Sequence, residues 1–197
     1  MNFIIETERL VLREWTAGDA GAIFVLASDA EVMRYVGDGR PWGGVERARE
    51  WLGWMADCYR QHGYGRWAVV EKDCARVVGS CGFWPLAETG EIDFGYLLAR
   101  DCWGRGYATE AGRAALRHGF GLLEFDEVVA NILPENVASR RVLEKLGFEY
   151  RGMKTYAGED GGELASYILR RADFLRGTDS DARVEVSAPS ARGNPGA

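Results

Sequence analysis

The sequence predicts an α/β (α+β) fold in a single domain, with a mixed central sheet of about seven strands flanked by helices. Three observations carry that expectation. Hydrophobic residues make up 47% of the 197, aromatics 12% and charged residues 27%, the balance of a packed core rather than of a disordered chain. Folding of a chain this long buries roughly 70% of its unfolded surface, which suits one large domain. Three strand-like segments then follow one another as an antiparallel meander. After them the order changes to helix, strand, helix and two more strands.

Taken in order, Leu10, Val11 and Leu12 between Arg9 and Arg13 form the first strand. Asp19 is placed to cap a short helix running to Ala27. Gly37 to Gly44 carries too many breakers for regular structure and reads as a loop. From Val45 to Arg60 only Gly53 interrupts, and Trp51, Trp54, Met55 and Tyr59 supply an apolar stripe near helical spacing. The meander comprises Arg66 to Val70, Arg76 to Phe83 and Glu91 to Leu98, separated by turn-like residues 71–75 and 85–90. A helix from Tyr107 to Leu122, a strand from Glu127 to Ile132, a helix from Ser139 to Leu146 and strands at Phe148 to Tyr156 and Glu163 to Leu169 complete the set. No aromatic residue follows Phe174, and residues 177–197 are rich in Gly, Ser, Ala, Asp and Pro. The folded domain is therefore expected over 1–176, with 177–197 as a disordered tail.

Charge excludes some partners. Lys and Arg total 24 against 30 Asp and Glu, a net charge of −6, so neither nucleic acid nor an anionic membrane is an expected partner, and an anionic ligand needs a local patch. Cys58, Cys74, Cys81 and Cys102 form no C-x-x-C, and only His62 and His118 could add imidazole, so no metal site is expected. The thiols are read as buried and reduced. The N-terminus lacks a basic segment and apolar runs such as Ala22 to Ala27 are far too short to span a bilayer, which points to the cytoplasm.

Chemistry concentrates between Glu91 and Ala111, where a strand runs into a Gly-rich turn and then a helix. Gly104 and Gly106 let backbone approach a ligand closely, and the unpaired N–H groups opening the helix at Tyr107 suit an anion without any metal. The turn has no P-loop Lys-Ser/Thr and follows a meander instead of opening a βαβ unit, so both nucleotide fingerprints fit poorly. Arg100, Arg105, Arg113 and Arg117 face only Asp101 and Glu110 across 100–117, four charges against two. That excess suits a polyphosphate.

Trp103-Gly104-Arg105-Gly106-Tyr107-Ala108-Thr109-Glu110-Ala111, then Asn136-Val137-Ala138-Ser139, then Glu144-Lys145-Leu146-Gly147-Phe148, resemble the GNAT N-acetyltransferases of the RimJ/RimL type. The opening Glu6-Thr7-Glu8-Arg9-Leu10-Val11-Leu12-Arg13 is similar to that subgroup's first strand, and the likeness spans Thr7 to Leu169. The resemblance implies an acetyl-CoA-dependent acyltransferase with its fourth and fifth strands, Glu91 to Leu98 and Glu127 to Ile132, splayed around the co-substrate. It implies the pyrophosphate on Trp103, Gly104, Arg105, Gly106, Tyr107, Ala108 and Thr109, and the pantetheine beside Leu97, Leu98 and Ala99. Asn136 matches a family Asn that faces the co-substrate. One departure matters: the Tyr that protonates the leaving thiolate in many relatives aligns with Leu143, and Ser139, one helical turn earlier, is the nearest replacement.

Acetyl transfer to an amine needs a neutral nucleophile, a polarised carbonyl and relief of charge on the departing thiolate. Ser139 is the candidate for the last need, its competing reading being a helix N-cap. Asp93, with Glu91 on the same strand face, is the first candidate to accept the amine proton, and Glu159 is a further one; His118 reads as a packing residue. Tyr35, Trp42, Tyr156, Glu159 and Asp160 lie where the fold selects its acceptor, and aromatic walls with carboxylates suit a cationic amine. The expected acceptor is a protein or peptide N-terminal amine. A small amine such as an amino acid, polyamine or aminoglycoside is the second reading, and a non-catalytic acetyl-CoA sensor the third. A homodimer is compatible with each.

Overall fold

The computed structural model describes residues 4–155 and 162–178. Its single sheet holds eight strands: β1 (Ile4–Glu6), β2 (Leu10–Arg13), β3 (Arg66–Glu71), β4 (Arg76–Pro85), β5 (Ile92–Leu98), β6 (Glu127–Ile132), β7 (Glu149–Thr155) and β8 (Glu163–Arg170). The helices are α1 (Ala20–Ala27), α2 (Ala30–Met33), α3 (Val45–His62), α4 (Tyr107–Gly121), α5 (Val137–Leu146) and α6 (Arg171–Thr178). The strand order is β1-β2-β3-β4-β5-β6-β8-β7. Every pairing is antiparallel except β5 with β6, which run parallel and share one residue pair, Asp93 with Val129. The sheet therefore opens between the fourth and fifth of the expected strands, and the eighth strand is the unanticipated Ile4–Glu6.

Two cores flank the sheet, because successive strand residues face opposite sides. Trp67 and Val69 of β3 join Phe94 and Leu98 of β5 beneath α4 and α5, whereas Ala68 and Leu97 turn to α1 and α3. Two local expectations change. The buried stripe of α3 is Ala48, Leu52, Met55 and Cys58, at helical spacing, while Trp54 is 54% exposed. Asp19 stands at the N-cap of α1 but makes no capping bond there; its carboxylate accepts from Arg13 and from the Thr16 backbone and hydroxyl. Burial pushes the Asp19 carboxyl up, but these partners outweigh it and hold it at about 2.

Cys58, Cys81 and Cys102 are buried free thiols, whereas Cys74 is exposed, against the expectation for all four. His118 is buried edge-on against Trp67, and burial pushes its imidazole down to about 4, leaving it a neutral packing group. The α6 helix runs two residues past the expected domain end and buries Phe174 against Phe120. The rest of the expected tail, 179–197, lies outside the described residues. Among the described residues no helix is long and apolar enough to cross a membrane.

Candidate active site

A cavity of about 330 Å³ lies beside the unpaired end of β5, between that strand and α5. Tyr96, Leu97 and Leu98 form one wall, on the stretch of β5 beyond its last pairing with β6. A strand edge without a neighbour leaves backbone N–H and C=O groups available to an extended ligand. Trp103 folds back so that its indole N–H donates to the Leu98 carbonyl at 2.8 Å. Ala138, Ser139, Val142 and Lys145 of α5 line the opposite wall, and Glu31, Val32, Tyr35 and Val36 approach from α2 and the turn after it.

The floor is the Gly-rich turn. Gly104 and Gly106 have φ of +72° and +82°, a left-handed backbone that side chains disfavour. Gly106 precedes α4, so the N–H groups of Tyr107, Ala108 and Thr109 precede the first intrahelical bond, which Glu110 N–H makes to the Gly106 carbonyl. With Gly106 to Thr109 lining the cavity, the helix presents its positive end there. Ion pairs behind the turn hold it. Arg105 and the Tyr107 hydroxyl both bind the Glu71 carboxylate, and hydrogen bonding from Tyr107, then from Cys74, with the Arg105 charge behind them, holds that carboxyl below its usual range. Glu110 accepts from the Thr7 hydroxyl and from the backbone and guanidinium of Arg9, which also reaches the Arg105 carbonyl at 3.0 Å.

Of the eleven residues expected to hold the co-substrate, with Ser139 beside its sulfur as a twelfth, ten line this cavity. Ala99 does not, and the Arg105 side chain is turned to Glu71. Arg100 lies 3.5 Å from Asp29, so part of the expected basic excess is balanced from outside its own segment. Asn136 caps α5, its side-chain oxygen accepting from Ser139 N–H at 3.0 Å. The capping task thus falls to Asn136 and leaves the Ser139 hydroxyl for the cavity, where it lies 3.0 Å from the Tyr96 hydroxyl. Leu143 is 1% exposed and belongs to the core, so it does not share the cavity face with Ser139 as the spacing suggested. Ser139, Val142 and Lys145 follow a three-residue spacing, a signal that could have found the last two from the first.

The two carboxylates differ. Glu91 is bound by Arg151 and Lys154, and although burial pushes its carboxyl up, these partners hold it at about 2. Neither Glu91 nor Asp93 lines the cavity, and a carboxylate tied as Glu91 is makes a poor proton acceptor. Asp93 sits where β5 and β6 part, 2.9 Å from Arg66 and 3.2 Å from the Asn131 amide. Burial pushes its carboxyl above the usual range against the pull of Arg66 and Asn131. Tyr35 lines the cavity, Trp42 packs on Trp51, and Tyr156, Glu159 and Asp160 lie outside the described residues. Among the described residues no cluster of His, Cys, Asp and Glu could hold a metal.

The sequence model of the Acetyltransferase (GNAT) domain matches residues 9–149. The uncharacterized N-acetyltransferase p20 of Bacillus licheniformis is 33% identical over 165 residues, covering 83% of this chain and 92% of that protein. A GNAT-family acetyltransferase from Bacillus anthracis superposes with a TM-score of 0.73 at 25% identity, over 86% of this chain and 99% of the other. RimL, the ribosomal L7/L12 alpha-N-protein acetyltransferase in complex with coenzyme A, shares the fold with a TM-score of 0.72 at 17% identity, over 85% of this chain and 97% of the other.

Proposed function

The chain belongs to the GNAT acetyltransferase family, and on that premise we propose that it transfers acetyl from acetyl-CoA to a primary amine, the N-terminal amine of a protein or peptide. The observation that carries this reading is the cavity at the parted strands, whose floor is a helix N-terminus and whose wall is an unpaired strand edge. The residues fit the co-substrate: three helix-opening N–H groups suit a pyrophosphate, and the edge at Tyr96 to Leu98, apart from the Leu98 carbonyl that Trp103 holds, suits an amide-bearing arm. Bound acetyl-CoA supplies an activated acetyl thioester and a thiolate leaving group.

In this reading the backbone at the free end of β5 orients the acyl carbonyl, and the Ser139 hydroxyl faces the leaving sulfur. Asp93 takes the amine proton through water; Glu91, bound by two cations, does not. The choice of acceptor follows from proton affinity. Deprotonating an α-amine of pKa near 7.8 at pH 7 costs about 1 kcal/mol, against roughly 4.6 kcal/mol for a lysine near 10.4. Asp93 is partly neutralised by Arg66, and Glu31, the carboxylate in the cavity lining, lies 4.0 Å from Arg34, so the weaker base is the tractable nucleophile. RimL acts on a protein α-amine by its name, which agrees with this reading.

The test is thiol release from acetyl-CoA with a panel of peptides, free amino acids, polyamines and aminoglycosides, with the product mass measured. Turnover with peptides, lost when their N-terminus is blocked, is the expected result. Turnover with small amines alone would replace the acceptor, and CoA binding without thiol release from any amine would leave a sensor.

A further inference from the structure

We infer that Tyr96 is a positioning residue for the acyl transfer: its hydroxyl donates to Ser139 and turns the serine proton toward the departing sulfur. The inference rests on the acetyl-CoA reading above and goes beyond it, since Tyr96 lies on a strand, far in sequence from the α5 residues that line the cavity. Three observations carry it. The two oxygens are 3.0 Å apart, and both residues line the cavity. The Ser139 backbone N–H is already bound by Asn136, so the capping interaction leaves the hydroxyl free to act. A phenol is also a stronger hydrogen-bond donor than an alcohol, so the favoured direction is from Tyr96 to Ser139 Oγ, leaving the serine proton for a second acceptor. Burial raises the Tyr96 hydroxyl to about 12, so it keeps its proton across the working range.

The balance is simple. As the C–S bond breaks, its electron pair stays on sulfur, and the Ser139 hydroxyl donates a hydrogen bond to it while accepting one from Tyr96. The proton that completes the thiol is the one the amine gives up through Asp93 or water, so Tyr96 ends as it began. Chained donors polarise one another, which makes the serine a better donor than it is alone.

The test reads the bound thiol itself. Affinity for CoA and for desulfo-CoA is measured from pH 6 to 10, and the difference between them gives the thiol pKa in the complex. Other titratable or charged groups share the cavity, namely Glu31, Tyr35, Cys102, Tyr107 and Lys145, with Cys81 paired to Tyr96 across the strands. The desulfo-CoA control removes their contributions to binding that do not involve sulfur. The parent is expected to hold the bound thiol at least one unit below its free value. Tyr96→Phe, which keeps the ring against Phe94, should raise it by about one unit, a tenfold change in thiolate stabilisation. Ser139→Ala should raise it at least as far, and the double variant no further than Ser139→Ala, because the two act in series. Saturating turnover should fall in the same order. A bound thiol pKa that Tyr96→Phe leaves in place overturns the proposal, and so does additivity of the two substitutions. If Tyr96→Phe fails to fold, an unshifted thiol in Ser139→Ala overturns it equally. Failure to bind CoA at all would instead reject the co-substrate reading, so the two failures are distinct.

Discussion

Arg66 reaches Asp93 across a glycine. Arg66, Gly82 and Gly95 are cross-strand neighbours in register on β3, β4 and β5. A Cβ at Gly95 would lie 2.6 Å from Nη2 of Arg66, so the guanidinium rests on the bare backbone of β5. Its charge opposes the burial that pushes the Asp93 carboxyl up. If Asp93 accepts the amine proton, it must be ionised, and the rate falls as pH drops through its pKa. Removing Arg66 removes a downward pull, so the acidic limb of the pH–rate profile should move to higher pH in Arg66→Met and, through displacement, in Gly95→Ala. Asp93→Asn should lose the limb and about 10² to 10⁴ in turnover. An acidic limb that stays in place in Arg66→Met would separate Asp93 from the proton transfer. Asp93 stands first among the candidates because its place before Phe94 and Gly95 matches the family likeness. Arg66 was not legible, because its partner lies 27 residues away across two strands, and Glu91 misled because strand alternation shows a shared face but not the cations waiting on β7.

At the scale of the element, the turn before α4 is set from behind. Thr7 and Arg9 beside β2 grip Glu110, Glu71 of β3 grips Arg105 and Tyr107, and the Arg9 and Arg105 guanidinium groups each lie over the Tyr107 ring, at 4.6 and 4.5 Å. The acidic residue of the first helical turn is thereby paired away from the helix mouth, and the N–H groups keep their orientation without a ligand. Gly106→Asp would add a negative charge there and strain a backbone at φ +82°. CoA affinity should fall at least tenfold, about 1.4 kcal/mol, while affinity for pantetheine, which lacks the pyrophosphate, should hold. Calorimetry showing equal losses for both would move the pyrophosphate off this turn. The long elements and the Gly-rich turn could be read from periodicity and breakers, whereas β1, α2 and α6 could not. The first two have three and four residues, too few to show a period, and α6 follows β8 with no breaker between them. Arg105 looked like a phosphate ligand because its partner Glu71 is distant in sequence.

For the whole molecule, one parallel contact in an otherwise antiparallel sheet decides where the cavity falls. The antiparallel β1–β5 and the β6-β8-β7 set are each continuous, and their one register pair is Asp93 with Val129. The meander followed by alternating helices could be read from the chain, but the splay came with the family resemblance, since no local pattern says that two strands stop pairing. The α6 helix closes over the second half of the sheet by burying Phe174, 6% exposed, against Phe120 of α4. Beyond Thr178 the sequence offers no aromatic residue and only Val184 and Val186 as large apolar side chains. A chain ending at Thr178 should therefore melt within a degree or two of the full chain and turn over at the same rate. Phe174→Ala is the contrast: a buried Phe truncated to Ala costs about 3 to 5 kcal/mol, and for a chain of this length each kcal/mol lowers the melting temperature by about 2 to 4 °C. Calorimetric melting of the two variants beside the full chain checks both. A large drop in the truncated chain would mean that residues 179–197 dock on the domain, and that the folded unit extends past α6.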